Sequence, residues 1–297
     1  MTDALALYRS LVLIRRFEET ILAEYRRGAF SGTTHTYLGQ EANAVGVISN
    51  LEPDDIVVSN HRCHGHFLAY GGDPRALFGE LMGRVTGVCG GRGGSQHLHW
   101  RNFYSNGILG STLPLAVGIA LAEKMQGRQT ITAVFAGDGA LGEGSVYEAF
   151  NFASLWQAPL LIVIENNHIA QTTPTNQAMS GSLAGRLAAF GIPAYELDTS
   201  DVTEISSAAQ PLIASIRREQ RPQALILNTA RFGPHSKSDD TRPAELVDEL
   251  RRTRDPLALY SRHIQPELQN EVDVEVDALV RAAFEQALAD PPAGGAN

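Results

Sequence analysis

The sequence predicts an α/β fold in which a mostly parallel sheet carries helices on both faces. Short β-branched apolar runs, typical of buried strands, alternate with apolar residues spaced three and four apart, typical of helices. This alternation indicates strand–helix–strand units. Polar segments also follow several strands, where open parallel sheets place their ligands. Strands are predicted at 56–58, 131–135, 160–164, 193–197 and 223–228, and helices at 5–27, 42–49, 115–125, 146–156 and 202–218.

The chain is expected to form a single domain, because 297 residues can bury one sizeable core. The first helix is rich in charged residues, and we expect these, Arg15 and Glu18 among them, to lie on a solvated face. The predicted parts are an N-terminal helix at 1–30, a core at about 40–242, a helical C-terminal extension at 243–290 and a disordered tail at 291–297.

The composition excludes several classes of function. A formal net charge of −9 argues against nucleic acid as the main partner. No apolar run has the length of a membrane span, and the N-terminus lacks the pattern of a secretory leader, so a cytoplasmic location is expected. Two cysteines, Cys63 and Cys89, do not indicate a disulfide framework, and Cys63 is interpreted as a buried bystander thiol.

Three histidines and an arginine crowd the end of the first predicted strand, at 61–66. His61, His64 and His66 suggest zinc, which histidine binds well. Their spacing gives no firm ligand geometry, and no carboxylate accompanies them. The favoured interpretation is therefore anion binding and proton handling, with Arg62 as the partner of a phosphate group.

Two polar or glycine-rich segments leave alternatives open. His35 lies in a polar loop, where a lone histidine is usually surface decoration and less often functional. The segment 83–110 has the glycine content of a flexible linker. Because it also contains Trp100, Phe103 and Tyr104, we favour an ordered loop around a ligand.

Polar residues that could bind a metal follow two consecutive predicted strands. Asp138 lies in a glycine turn after the strand at 131–135, and Asn167 follows the strand at 160–164. Parallel strands end at one edge of a sheet, so these side chains can converge. Their oxygens suit Mg²⁺ or Ca²⁺ whose remaining positions bind phosphate oxygens. A simple turn with a capping asparagine remains the alternative.

The same residues carry a family resemblance. Gly137-Asp138-Gly139, followed after 26 residues by Asn166-Asn167, resembles the thiamine diphosphate motif. The similarity runs from about Tyr8 to Ile264, and over it the chain resembles the α subunit of the heterotetrameric first component of 2-oxo acid dehydrogenases, of the pyruvate, branched-chain and acetoin type. It implies one thiamine diphosphate-binding domain of the diphosphate type. Matching stretches are 35–42, 61–65, 93–97, 102–104, 106–110 and 231–240.

The resemblance also implies roles for individual residues. The cofactors would be thiamine diphosphate and Mg²⁺ or Ca²⁺, with the metal bound by Asp138, Asn167 and the backbone carbonyl of Ile169. Gly107 would bind the aminopyrimidine through its carbonyl, and Leu109 would be the wedge that bends the cofactor. The diphosphate end would contact Arg62, Gly137, Gly139, Ala140, Arg231 and His235, and the catalytic candidates are His35, His64 and His235.

A second chain is implied as well. In this family the glutamate that activates the aminopyrimidine belongs to a separate β subunit, so the resemblance implies an α2β2 heterotetramer and no activity for this chain alone. The implied reaction is decarboxylation of a small 2-oxo acid, or cleavage of an acetoin-like substrate, with transfer of the acyl unit to a lipoyl acyltransferase component.

Some positions depart from the family pattern. His61 stands where relatives often have tyrosine, and Gly233-Pro234 and Ala170-Gln171 differ from the pyruvate-type sequence. These departures put pyruvate in doubt as the substrate, more than they do the cofactor. The alternative function is a carboligase or transketolase-like subunit, in which the same chemistry serves a biosynthetic pathway.

Overall fold

The structure of the protein is a computed structural model that describes residues 4–30, 32–236 and 239–294. Within these residues the strands are β1 (Ile56–Ser59), β2 (His99–Trp100), β3 (Phe103–Ser105), β4 (Thr132–Gly137), β5 (Leu160–Asn166), β6 (Ile169–Ala170), β7 (Thr173–Pro174), β8 (Ala194–Asp198) and β9 (Gln223–Asn228). Seven of these described strands form one sheet in the order β2-β3-β1-β4-β5-β9-β8, and β6 and β7 form a small hairpin. Only the β2–β3 pair of the larger sheet is antiparallel.

The helices follow the strand–helix alternation that the sequence predicts. Short 3₁₀ turns at Leu109–Ser111 and Asp138–Gly142 precede α5 and α6. The described helices are α1 (Ala4–Tyr25), α2 (Glu41–Ile48), α3 (Cys63–Ala69), α4 (Pro74–Leu81), α5 (Thr112–Met125), α6 (Gly144–Leu155), α7 (Thr175–Ala178), α8 (Leu183–Ala188), α9 (Val202–Glu219), α10 (Ala244–Arg254), α11 (Pro256–Ser261) and α12 (Pro266–Ala289).

Helices cover both faces of the sheet, which confirms the predicted fold class. Successive strand residues point to opposite faces, so each central strand contributes to two apolar layers. Phe135 and Val163 pack in the layer that contains α1, α2, α9 and α12. Val134 and Ile162 pack in the layer that contains α5 and α6. Burying each of these side chains stabilises the fold by roughly 1.5–3 kcal/mol.

The expectation that the charges of the first helix are solvated is wrong for Arg15 and Glu18. Both are buried, because α1 packs in the core and polar partners face it. Arg15 Nε donates to Glu41 Oε1 at 2.7 Å, and its Nη2 donates to Asp255 Oδ1 at 2.9 Å. Glu18 Oε1 accepts a hydrogen bond from the backbone N–H of Tyr37 at 2.8 Å.

Part of the C-terminal tail is paired with the glycine-rich segment. Val85 N–H donates to Pro291 O at 3.0 Å, and Ala293 N–H donates to Gly83 O at 2.7 Å. The tail was expected to be disordered over 291–297, of which 295–297 lie outside the described residues.

Over the part of the chain that is described, no helix is both long and apolar enough to cross a membrane. Cys63, interpreted as a bystander, is buried and not disulfide-bonded.

The parallel strands deliver their carboxyl ends to one edge, and this positions the site. β4 pairs with β5 up to Gly137 opposite Glu165, and β5 pairs with β9 up to Asn166 opposite Asn228. The loops that leave β1, β4, β5 and β9 therefore start side by side.

Candidate functional site

A cleft lies at this edge. The loops after β1, β4, β5 and β9 all contribute to it, which is where open α/β sheets bind ligands. Of the residues predicted for cofactor or metal binding, only Gly107 is not part of its lining. The lining includes Arg62, Leu109, Gly137, Asp138, Gly139, Ala140, Asn167, Ile169, Arg231 and His235.

Asp138 and Asn167 present oxygen atoms to the same cleft. Asp138 is buried at the start of the 3₁₀ turn after β4, and its burial raises the pKa of the carboxyl although Thr175 donates a hydrogen bond to it. Asn167 Nδ2 donates to Gln40 Oε1 at 3.2 Å, and Asn167 Oδ1 accepts from the Ile169 N–H at 3.3 Å, which leaves a second lone pair on that oxygen. A carboxylate, an amide oxygen and the nearby carbonyl of Ile169 form a hard-oxygen donor set of the type that Mg²⁺ and Ca²⁺ prefer.

The glycine after Asp138 is required by close packing. A Cβ atom at Gly139 would lie 2.8 Å from Ala170 Cβ, which belongs to the β6–β7 hairpin. Glycine thus lets the hairpin pack against the turn and leaves the amides of Gly139 and Ala140 near the cleft.

Two buried arginines face the cleft without a counter-charge. Within the described part of the chain neither Arg62 nor Arg231 forms an ion pair, and Arg231 Nε and Nη1 have no hydrogen-bond partner. Arg62 donates to neutral acceptors, Thr36 O at 2.7 Å and His235 O at 3.1 Å. Burial and mutual repulsion lower the pKa of Arg62 to about 9, and burial lowers that of Arg231 to about 10. Buried arginines without a counter-charge are suited to bind a multiply charged anion such as a diphosphate.

Three histidines meet beside the arginines. The rings of His35, His61 and His235, here called the histidine triangle, have centroid separations of 4.8, 4.8 and 5.1 Å. Burial and the charge of Arg62 lower the pKa of His35 to about 3 and that of His235 to about 4, and also lower the pKa of His61. The triangle is therefore uncharged at neutral pH. Both ring nitrogens of His61 are buried without a partner among the described residues.

The structure argues against zinc binding by His61, His64 and His66 together. His64 Nδ1 lies 3.2 Å from Glu18 Oε1, and His66 Nδ1 lies 2.8 Å from Ser59 Oγ, so these two rings face different partners while His61 belongs to the triangle. The described histidines close enough to share a metal are those of the triangle, with ligand atoms within 4.8 Å of one another. Two adjacent guanidinium groups oppose a cation there, which favours the anion interpretation.

Three predicted residues lie outside the cleft lining: His35, which belongs to the histidine triangle, and His64 and Gly107. His64 is fully buried one layer behind it, where its Nε2 lies 3.0 Å from Ser95 Oγ. Gly107 lies beside Gln96, whose Oε1 would be 2.2 Å from a Cβ atom at that glycine. Leu109 borders both this cleft and a second cavity that includes the exposed Ile108.

Sequence reasoning assigned no role to Glu165, although its buried carboxylate lines the cleft. Tyr37 Oη donates to Glu165 Oε1, and Asn60 Nδ2 donates to Oε2 at 3.1 Å. Burial opposes ionisation, but His66 and these hydrogen bonds outweigh it and lower the pKa of Glu165. A carboxylate at the end of an otherwise apolar strand was the signal that could have identified it.

Comparison with known proteins identifies relatives along nearly the whole chain. A family model described as the dehydrogenase E1 component matches residues 9–294. The α subunit of the pyruvate dehydrogenase E1 component of Zymomonas mobilis is 40% identical over 262 residues, covering 86% of this chain and 74% of the relative.

Two further relatives are matched over greater lengths. The α subunit of acetoin:2,6-dichlorophenolindophenol oxidoreductase of Cupriavidus necator is 36% identical over 302 residues, covering 98% of this chain and 91% of the relative. The α subunit of the pyruvate dehydrogenase E1 component of Rhizobium meliloti is also 36% identical over 302 residues, covering 97% and 86%.

Proposed function

The chain belongs to the dehydrogenase E1 component family of thiamine diphosphate-dependent enzymes, and we propose that it is the α subunit holding the diphosphate end of this cofactor. The observation that carries the proposal is the pair of buried, unpaired arginines beside the oxygens of Asp138 and Asn167. The arginines need an anion as their partner, and the oxygen donors need a cation. A metal–diphosphate unit supplies both.

The proposed ligands follow from the cleft. Asp138, Asn167 and the Ile169 carbonyl hold Mg²⁺ or Ca²⁺, and the amides of Gly139 and Ala140 meet the diphosphate together with Gly137. Arg62, Arg231 and His235 complete the anion site. Gly107 and Leu109 lie toward the ring end of the cofactor. When bound, the cofactor supplies the electron sink for cleaving a bond next to a substrate carbonyl.

The histidines are proposed to handle protons near that bond. His35 and His235 belong to the uncharged triangle, and each neutral ring offers one N–H donor and one acceptor nitrogen. His64 would act indirectly, since it does not line the cleft and its ring nitrogens contact Glu18 and Ser95.

The relatives are named α subunits, and we propose that a β subunit completes this site in an α2β2 heterotetramer. The activating glutamate would come from that subunit. We further propose a small 2-oxo acid or an acetoin-like acyloin as substrate, a lipoyl group as acceptor and a cytoplasmic location. Screening pyruvate, branched-chain 2-oxo acids and acetoin with α plus β and an artificial electron acceptor would identify the substrate.

Calorimetry on the reconstituted α and β chains tests the cofactor site. Thiamine diphosphate should bind only when Mg²⁺ or Ca²⁺ is present, and Asp138→Ala should abolish binding because the metal loses its only proposed carboxylate ligand. Asp54→Ala removes an exposed carboxylate distant from the cleft and should leave binding unchanged. Metal-independent binding, or unaltered affinity of the Asp138 variant, would refute the metal assignment.

A further inference from the structure

Gln96 contacts two parts of the proposed site, although no role follows for it from the cofactor assignment. Its side-chain Nε2 lies 3.0 Å from His35 Nδ1. Its Oε1 fills the space in which a side chain at Gly107 would stand, 2.2 Å from an ideal Cβ position. One amide group therefore lies between the histidine triangle and the glycine proposed to meet the aminopyrimidine.

The backbone around Gln96 is anchored by a buried carboxylate. Glu80 accepts hydrogen bonds from the amides of Cys89 at 2.6 Å, Gly91 at 2.9 Å, Gly93 at 2.5 Å and Gly94 at 3.2 Å. These bonds fix the glycine-rich segment up to two residues before Gln96. A mobile linker would carry no such anchor.

A second anchor holds Gln96 from the other side. Ser105 Oγ donates to Gln96 O and accepts from Leu98 N–H, each at 2.9 Å. Ser105 is the last residue of β3, so the position of Gln96 is tied to the central sheet. A residue held this firmly can orient a neighbouring ring.

The contacts determine which ring nitrogens carry protons. Arg62 Nη2 lies 3.3 Å from His235 Nδ1, and a guanidinium has only donors, so His235 Nδ1 accepts and the neutral ring keeps its proton on Nε2. The amide Nε2 of Gln96 is placed to do the same for His35. Two of the three rings in the triangle would then share one tautomer.

We infer that Gln96 is a positioning residue that donates to His35 Nδ1 and keeps the neutral ring protonated on Nε2. This rests on the proposed function insofar as His35 handles a proton in the reaction. Gln96 acts through His35 and needs no contact with substrate. The hydrogen bond belongs to the chain itself, and its effect on the protonation of His35 can be measured without cofactor.

The test compares Gln96→Glu with Gln96→Met in the α2β2 enzyme. A carboxylate accepts a hydrogen bond where the amide donates one, so Gln96→Glu should favour a proton on His35 Nδ1. The acidic limb of the pH profile of kcat should therefore move to higher pH by about 1 unit or more. Gln96→Met removes the donor to the neutral ring, so it should lower kcat by about tenfold and move that limb upward by less than Gln96→Glu does. His97→Gln changes an exposed neighbour and serves as the control.

The second readout is deuterium exchange at C2 of His35, followed by mass spectrometry on cofactor-free protein. Its pH midpoint should rise most in Gln96→Glu, rise less in Gln96→Met and stay at the wild-type value in His97→Gln. Identical midpoints and identical pH limbs in all variants would overturn the inference. Failure of the wild-type enzyme to bind thiamine diphosphate would instead refute the proposed function, and the exchange result would still decide the role of Gln96.

Discussion

Arg231 combines a buried cation with two nitrogens that have no partner in the described part of the chain. Such a group costs stability until an anion meets it. Arg231→Met should therefore raise or preserve the melting temperature of the cofactor-free protein. It should also weaken thiamine diphosphate binding by roughly 10- to 100-fold, the effect of losing one charge-assisted hydrogen bond.

Thermal melting with and without cofactor measures both effects. The matched control is Arg254→Met, which removes an arginine that bonds to Asp198 and Asn228 and should not raise the melting temperature. If the Arg231 variant melts earlier than wild type and keeps its full cofactor-induced shift, Arg231 has a structural role.

The histidine triangle predicts a pH dependence of stability. Folding lowers the pKa of His35 to about 3 and of His235 to about 4, through burial and Arg62. The unfolded chain, with histidine pKa values near 6.5, then binds more protons than the folded chain below that pH. The stability contributed by the neutral rings is complete above pH of about 6.5 and is lost as the pH falls toward about 4.

Urea unfolding of the cofactor-free protein between neutral and mildly acidic pH measures this slope. His61→Gln removes one titrating member of the triangle and should make the slope shallower, whereas His263→Gln, an exposed histidine, should change it less. Inorganic diphosphate should also reduce the slope, because an anion beside the rings favours their protonation. Equal slopes for the His61 variant and wild type would contradict the prediction.

Sequence reasoning located the metal-binding candidates because their positions follow from a short-range rule. Asp138 and Asn167 each follow a strand of one parallel unit, so their convergence needs only the pairing of β4 with β5. The histidine triangle could not be predicted in this way. His35, His61 and His235 come from three distant loops, and their contact depends on how the whole sheet and its surrounding helices pack.

At the scale of elements, five strands and the long helices were predictable from apolar periodicity, whereas the short strands β2, β3, β6 and β7 and the helices α3 and α4 were not. The α3 sequence is dominated by histidine and glycine and lacks an amphipathic pattern. For α4 a signal was present: Asp73 accepts hydrogen bonds from the amides of Arg75 and Ala76, and Pro74 occupies the first helical position. An aspartate followed by proline is a common helix start.

One buried carboxylate, that of Glu80, contacts the glycine-rich segment at four backbone amides. Glu80→Gln should loosen residues 83–95, because Glu80 accepts from four backbone amides through two oxygens. A glutamine side chain has only one acceptor oxygen, and its NH₂ group would face backbone N–H groups that are themselves donors. Hydrogen exchange at Cys89, Gly91 and Gly93 should accelerate by about tenfold or more, as expected when a hydrogen bond worth about 1.4 kcal/mol is lost.

The comparison variant is Glu123→Gln, in which the carboxylate bonds instead to Arg128 and Thr130. It should leave exchange in the segment 83–95 unchanged. Protection that persists in the Glu80 variant would show that other contacts, such as the pairing of Gly83 with Ala293, order this segment.

At the scale of the whole molecule, the cleft is open on the side where Leu109 and Ile108 lie. Ile108 is 68% exposed although it is a large apolar side chain beside the proposed ring end of the cofactor. An exposed apolar residue at the rim of a site is typical of a surface that another chain covers. We therefore expect the β subunit to contact Ile108 when it completes the site.

Ile108→Asp should weaken association of α with β, because a carboxylate would have to be desolvated in the contact. Sedimentation velocity of mixed subunits should show free chains at concentrations where wild type forms the heterotetramer, and activity should recover as β is added in excess. The control is Val274→Asp, the same change at a residue of α12 that is 62% exposed in the helical layer on the opposite face of the sheet. Normal assembly of the Ile108 variant, or equal weakening by both substitutions, would place the β subunit elsewhere on the chain.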